Sequence, residues 1–314
     1  MNVNTAPPPC VLLGPQRRVP TVLDAIESLE IRGPIVAITA GWEERESEDR
    51  ELGEHLGGRT TNLALFARTE DVLRHDVDLA RALLTRRRNL RQQRDLYRQR
   101  LHHALSSARA LLSSSVDPEI LRIEQDDAIA AIRRLDAHHL ERVVRIEDAF
   151  DAEWRPLERE HVARHRHELA EMIRDSAAVC VAGGHVGVLL HRMRMFDLGP
   201  LLAERPVVAW SAGAMALGER VVLFHDSPPQ GPGDAEVLGA GLHRFEGVIP
   251  LPHAAQRLRL DDPVRVGLFA RRFGPARCRT LDERSRSVFL DGSWNGFAET
   301  RELRPDGTVI DVAA

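Results

Sequence analysis

Apolar residues follow two different rhythms along this chain of 314 residues. Up to about Phe66, short apolar runs of strand length alternate with amphipathic stretches of helix length. Cys10–Leu13 reads as a buried strand, and a helix follows near Thr21–Ile31. Pro34–Thr39 is the next apolar run, then Glu43–Leu56 reads as a charged helix and Asn62–Phe66 as a strand. The alternation resumes with a strand over Ala177–Ala182 and a helix over Val186–Ala203, and it leads into the apolar run Pro206–Ala209. Strands alternating with helices predict an α/β fold, a parallel sheet with helices on both faces. Beyond about Val221 the elements become shorter and turns more frequent.

From about Thr69 to Asp175 the rhythm is different. Leucine, isoleucine and alanine recur at helical spacing and strand signals nearly disappear. One break interrupts the pattern at Ser113-Ser114-Ser115 and Asp117-Pro118-Glu119. Asp117 suits an N-cap, Pro118 the first helical position, and Glu119 the positive end of the helix dipole. Pro156, close to Trp154, should end the second helix. The predicted organisation is an α/β domain made of residues 1–68 and 176–314, interrupted by a long helical hairpin over residues 69–175.

Charge narrows the partners. The chain has 43 basic and 47 acidic residues, a formal net charge of −4, so nothing in the whole-chain balance favours nucleic acid or a membrane surface. Every basic side chain is arginine, which excludes lysine chemistry such as a Schiff base. Within the hairpin, Glu70–Leu112 holds ten arginines and five acids, whereas Asp117–Asp175 holds ten arginines and sixteen acids. The run Arg86-Arg87-Arg88 thus has an acidic partner in the same chain. The hairpin reads as a mutually neutralising solvated arm, compatible with homo-oligomerisation, and not as a nucleic-acid site.

Cys10, Cys180 and Cys278 are odd in number and lack any C-x-x-C, so neither a disulfide framework nor a zinc knuckle is expected. No apolar stretch has membrane-spanning length, and Met1–Pro9 lacks the charged and apolar regions of a signal peptide; a cytoplasmic location is the expectation. His161 and His165 lie four apart with Glu168 three further on, which is possible zinc spacing. Without an H-E-x-x-H and in polar surroundings, they read as a solvated helix face. The adjacent pairs His102-His103 and His138-His139 point to different sides of a helix. No metal and no cofactor is expected.

Chemistry concentrates around Trp210-Ser211-Ala212-Gly213-Ala214, where an apolar run delivers a serine into small residues. That is what a nucleophile elbow requires: a strand ends, the backbone turns sharply and a helix begins, with crowding that only small neighbours allow. Ala209 stands where G-x-S-x-G would have its first glycine, and an ordinary strand-to-helix turn could carry the same residues. Upstream, Ala178–Ala182 reads as a strand ending in Gly183-Gly184-His185, which lets backbone N–H groups face a ligand at the carboxyl edge of the sheet. With the N–H of Ala212, such donors could hold an oxyanion. His253, on the proline-fixed turn after Ile249-Pro250-Leu251-Pro252, is the candidate general base, the alternative being a structural hydrogen-bonding role.

In combination these segments resemble the peptidase E and cyanophycinase family of serine peptidases, relatives of class I glutamine amidotransferases. Gly183-Gly184 followed by Leu189-Leu190 resembles the family's glycine-rich segment, Trp210–Ala214 its nucleophile motif, and Pro252-His253 its Pro-His. Leu281-Asp282-Glu283 resembles the late acidic turn near the family's site, and Asp226 matches the aspartate that follows the serine. His185 and Ala182 replace the family's asparagine and third glycine, and Arg284 stands where a small residue is usual. The resemblance covers roughly residues 10–68 and 176–298.

The resemblance implies a flavodoxin-like sheet and a Ser–His–acid hydrolase acting on small aspartyl or β-aspartyl peptides. Ser211 would be the nucleophile and His253 the general base. Glu283 or Asp226 would orient the imidazole, Glu283 being preferred. Gly183, Gly184 and Ala212 would form the oxyanion hole. His185, Arg257, Arg259 and Arg265 are candidates for binding the substrate. A second reading is a catalytically silent ligand-binding or assembly protein of the same fold, with the helical arm mediating oligomerisation. A cysteine-nucleophile amidotransferase is disfavoured because the elbow holds serine and Cys180 lies inside a strand.

Overall fold

Four of the five expected apolar strands, joined at the edge by the polar segment Thr60–Asn62 and not by Asn62–Phe66, form the parallel part of the main sheet in a computed structural model that describes residues 7–226, 228 and 233–312. The strands are β1 (Cys10–Leu13), β2 (Ile35–Ile38), β3 (Thr60–Asn62), β4 (Ala178–Val181) and β5 (Val207–Trp210). They lie in the order β1-β5-β4-β2-β3, with every neighbouring pair parallel. Four of them are buried at every position, which explains why they read as continuous apolar runs and not as alternating ones. Alternate residues feed two cores. Leu12, Ile38, Val181 and Ala209 point into the larger one, and Val11, Leu13, Cys180 and Trp210 into the smaller.

Helices follow the strands. They are α1 (Val22–Ser28), α2 (Arg50–His55), α3 (Leu65–His75), α4 (Val77–Leu112), α5 (Pro118–Trp154), α6 (Glu160–Arg174), α7 (Val186–Met195), α8 (Leu198–Ala203), α9 (Ala212–Leu217), α10 (Ala254–Arg257) and α11 (Pro263–Phe273). Three boundaries differ from the sequence expectation. The segment 43–56 holds a 3₁₀ turn over Ala40–Arg45 and then α2, not one helix. β3 ends at Asn62, because Asn62 Oδ1 accepts the Ala64 N–H and turns the chain into α3. Asp197, at φ 48°, separates α7 from α8 within the predicted single helix.

The hairpin begins and ends as its caps dictate. Asp117 accepts the N–H groups of Glu119 and Ile120 at the start of α5, with Pro118 at its first turn. That helix stops at Arg155, in the left-handed region, just before Pro156. The region is nevertheless four helices and not two. Asp76 breaks the first, its carboxylate accepting the Leu79 N–H, and α6 forms a separate segment after Pro156. At 36 residues, α4 is about 54 Å long.

The hairpin is not a freely solvated arm. Tyr97, Leu101, Leu105 and Ala108 of α4 pack with Ile129, Ile132 and Leu135 of α5 and with Leu268 of α11. Midway along it, Arg272 of α11 donates to Asp136 and to the Tyr97 hydroxyl, all three buried. Arg94 and Arg98 converge on buried Glu236.

After α9 the chain forms the ribbon β6 (Arg220–Leu223) with β7 (Glu236–Ala240). A second sheet then takes β8 (Val248–Pro252) and β9 (Arg277–Leu281), which pair in parallel. β10 (Arg286–Leu290) and β11 (Ser293–Ala298) return to the main sheet antiparallel beside β1. β12 (Arg301–Leu303) and β13 (Val309–Asp311) complete the second sheet. Among the described residues no helix is long and apolar enough to cross a membrane. Met1–Ala6, part of the proline-rich start, lies outside them.

Candidate active site

The carboxyl ends of β1, β4 and β5 converge with the turn after β8. Ser211 sits between β5 and α9 at φ 51°, ψ −120°, a backbone conformation that a non-glycine residue rarely adopts. The small neighbours predicted for an elbow are sterically required. A Cβ on Gly213 would lie 2.3 Å from the Val181 carbonyl oxygen, and one on Gly183 would lie 2.8 Å from Ser211 Cβ. The turn after β4 therefore presses directly on the serine.

Gly184 needs its freedom for a different reason. Its φ is 114°, and a Cβ there would overlap the Gly41 carbonyl oxygen at 2.2 Å. His185 N–H donates to that carbonyl at 2.7 Å, which locks the glycine turn onto the loop after β2. Neither the Gly184 nor the Ala212 N–H donates to a backbone carbonyl among the described residues. His185 itself caps α7, its Nδ1 accepting the Val188 N–H at 3.1 Å.

His253 reaches the serine from the other sheet. It follows β8 at φ 59°, and its N–H donates to Leu281 O at 3.2 Å, so β9 holds its backbone. His253 Nε2 lies 3.5 Å from Ser211 Oγ, at the outer limit of a hydrogen bond. Burial lowers the pKa of His253, and the Arg257 guanidinium lowers it further, while Asp282 and Glu283 oppose the shift. The balance favours the neutral imidazole, the form a general base needs.

The two candidate acids are placed differently. Asp226 accepts the Arg259 N–H at 2.8 Å and pairs with Arg265, and all three line a small cavity of about 40 Å³ away from the imidazole. Its carboxylate is committed there and is not among the charges acting on His253. Glu283 does act on His253. It is half exposed, its nearest charged partner being Arg18 at 4.0 Å. Among the described residues no carboxylate hydrogen-bonds to His253.

The sequence reading named Asp282 only as part of the acidic turn, yet its charge acts on His253 ahead of that of Glu283. Both its oxygens are engaged, Oδ1 with the Ala255 N–H at 3.0 Å and Oδ2 with Arg301 at 3.2 Å, so it anchors α10 below the histidine. Gly14 was also missed. A Cβ there would lie 1.7 Å from the Asp282 carbonyl oxygen, so the end of β1 is packed against the acidic turn. A glycine closing an apolar run was the available signal.

The three candidate arginines separate in the same way. Arg259 pairs with Asp262 and Arg265 with Asp226, whereas the Arg257 side chain has no partner among the described residues and lies beside His253. The cysteines are all buried and free, and burial pushes the thiols of Cys10 and Cys180 up to about 12 and that of Cys278 higher still. None is a nucleophile in this environment.

The expected solvated face of α6 needs correction. His165 is buried, with Nε2 on Asp71 Oδ2 and Nδ1 accepting from Arg68, both at 2.8 Å. Apolar positions of α3 and α6 face the main core, so this part of the helix is covered.

No protein-family model and no curated protein matches the chain. Among solved structures, the chain is similar to a peptidase from an acI-B1 Actinobacterium. The identity is 12%, the TM-score is 0.47, and the match covers 96% of this chain and 92% of that one.

Proposed function

We propose that this protein is a serine hydrolase of the peptidase E and cyanophycinase type, cleaving a small aspartyl or β-aspartyl peptide through an acyl-enzyme. The observation that carries the reading is the pairing of a serine held at φ 51° on a strand-to-helix turn with a histidine Nε2 at 3.5 Å. In this reading Ser211 Oγ attacks the peptide carbonyl while His253 takes its proton and passes it to the leaving amine. The N–H groups of Gly184 and Ala212 receive the oxyanion. Glu283 swings onto His253 Nδ1 when substrate excludes water, since catalytic hydrogen bonds are often long without substrate. Arg257, without a partner among the described residues and next to the histidine, receives the substrate carboxylate.

The second reading, a silent binding or assembly protein, draws on the lack, among the described residues, of a carboxylate bonded to His253. A fluorophosphonate probe separates the two. The hydrolase reading expects stoichiometric labelling of wild type, none of Ser211→Ala, and hydrolysis of Asp-Xaa dipeptides or β-Asp-Arg. Wild type that labels no better than Ser211→Ala defeats it.

We also propose self-association through the helical region, supported by the exposed apolar residues Leu84, Leu96, Ile120 and Ile123. Sedimentation of Ile120→Glu/Ile123→Glu against wild type tests it, and an unchanged oligomeric state refutes it.

A further inference from the structure

The two roots of the helical hairpin meet in a cluster of metal-ligating side chains that the proposed chemistry leaves unused. α3 leads into α4, and it carries Asp71 and His75 four residues apart, hence on one face. α6 follows α5 and presents His161 in its first turn. One ligand atom from each of these three side chains lies within 4.8 Å of the others. The rings of His75 and His161 are stacked, with centroids 4.8 Å apart and planes 18° apart.

His161 Nδ1 is shut off from solvent and has no hydrogen-bond partner among the described residues. A buried polar atom without a partner bears the full cost of desolvation, and a bound cation would remove that cost.

The surroundings resemble the outer shell of a metal site. Arg68 donates to His165 Nδ1 at 2.8 Å, which leaves the proton on Nε2, and that N–H donates to Asp71 Oδ2 at 2.8 Å. Arg164 donates to the same oxygen at 2.9 Å. One carboxylate oxygen is thereby fixed from behind, while Oδ1 stands 3.3 Å from His75 Nδ1, whose N–H donates to the Asp71 backbone carbonyl at 2.9 Å and leaves Nε2 as the ring nitrogen free to ligate. Such support is what orients a ligating carboxylate. The other charges cancel in pairs, Arg68 with Glu168 and Arg159 with Asp76, and half-exposed Arg164 is offset by Asp71 itself.

We propose that Asp71, His75 and His161 form a binding site for a borderline divalent transition-metal ion, with Zn²⁺ as the probe, that clamps the base of the hairpin. Two neutral imidazoles and a carboxylate match the donor preference of such ions, and a water would complete a tetrahedron. Donors about 2.0–2.1 Å from a tetrahedral ion stand about 3.3–3.5 Å apart, so the cluster has to contract on binding. His75, exposed on the last turn of α3, supplies the rotation. The site stands apart from the Ser211 chemistry and does not rest on it.

The test is calorimetric titration of the chelator-treated full chain with Zn²⁺. One equivalent should bind, and binding should raise Tm. His75→Ala and His161→Ala should each lose stoichiometric binding and the Tm rise, and His165→Gln should bind about 10–100-fold more weakly. His167→Ala, which removes a surface histidine paired with Glu171, should bind as wild type does. Wild type that takes up no Zn²⁺, or His75 and His161 variants that bind as tightly as wild type, overturns the proposal. Should either variant fail to fold, wild type loaded with Co²⁺ decides: the intense visible bands of tetrahedral Co²⁺ support the site, and the weak spectrum of the hydrated ion refutes it.

Discussion

Ser211 Oγ and His253 Nε2 stand 3.5 Å apart across 42 positions of sequence, and each residue holds a positive φ, 51° and 59°. Two turns that ordinary residues avoid thus end at one point. Backbone strain of this kind costs on the order of 1–3 kcal/mol per residue and persists only where surrounding structure enforces it. Here the enforcement comes from Gly183 against Ser211 and from β9 against His253.

Gly183→Ala tests that enforcement. Its new methyl would stand 2.8 Å from Ser211 Cβ, so either the elbow or the β4 turn must move. We expect a loss of about 1–3 kcal/mol in urea unfolding together with slower fluorophosphonate labelling. Gly199→Ala, at a position with nothing within 4 Å, should leave both unchanged or slightly raise stability.

On the proposed hydrolase reading, the pH dependence of hydrolysis should respond to the charges around His253. The free imidazole must be neutral to act as base, so the rate falls on the acid side as it protonates. Arg257 lowers the His253 pKa; removing it in Arg257→Ala should move the acid limb of kcat/KM to higher pH. Glu283 raises it, so Glu283→Gln should move the limb to lower pH. Asp226→Asn, whose carboxylate is not among the charges acting on His253, should leave the limb in place. A limb that Arg257→Ala leaves unmoved would separate that arginine from the site.

Asp136 reports how firmly the hairpin is built in. It is buried and accepts two hydrogen bonds from equally buried Arg272. Asp136→Ala leaves that guanidinium without its carboxylate, and we expect a loss of about 3–5 kcal/mol in chemical denaturation. A loss below about 1 kcal/mol would mean that the hairpin is only loosely attached.

His191 links the hairpin to α7, the helix that follows the glycine turn. Arg86 donates to its Nε2 at 2.8 Å, and burial with four nearby arginines holds its pKa at about 3, against 6.5 for the free group. Between those values the unfolded chain takes up a proton that the folded chain refuses, so stability falls as pH drops through that window. The slope from this residue approaches about 1.4 kcal/mol per pH unit. Urea midpoints measured between about pH 7 and pH 5 should fall more steeply for wild type than for His191→Gln. Equal slopes would show that His191 protonates as a free imidazole does.

How much of this was legible beforehand depended on how local each feature is. The buried strands, the capped start of α5 at Asp117-Pro118 and its end before Pro156 follow from side chains acting on their own backbone. The strand-to-helix turn at Ser211 was legible for the same reason, since crowding there dictates small residues on the spot. Hairpin docking was not legible. Arg272, Asp136 and Glu236 look like ordinary surface charges until distant elements bury them together. The partners of Asp226, the alternative to Glu283, were not legible for the same reason: chain order put it after the serine, and Arg265 and the Arg259 N–H engage its carboxylate.

By itself, then, the sequence determined the sheet, the helical insertion and the serine turn, because hydrophobic period, capping and steric crowding act over a few residues. Which charge meets which partner, and how near His253 comes to Ser211, only the tertiary structure decided. Those outcomes depend on the packing of segments far apart in the chain, and electrostatic energies change steeply with distance and burial once that packing is set.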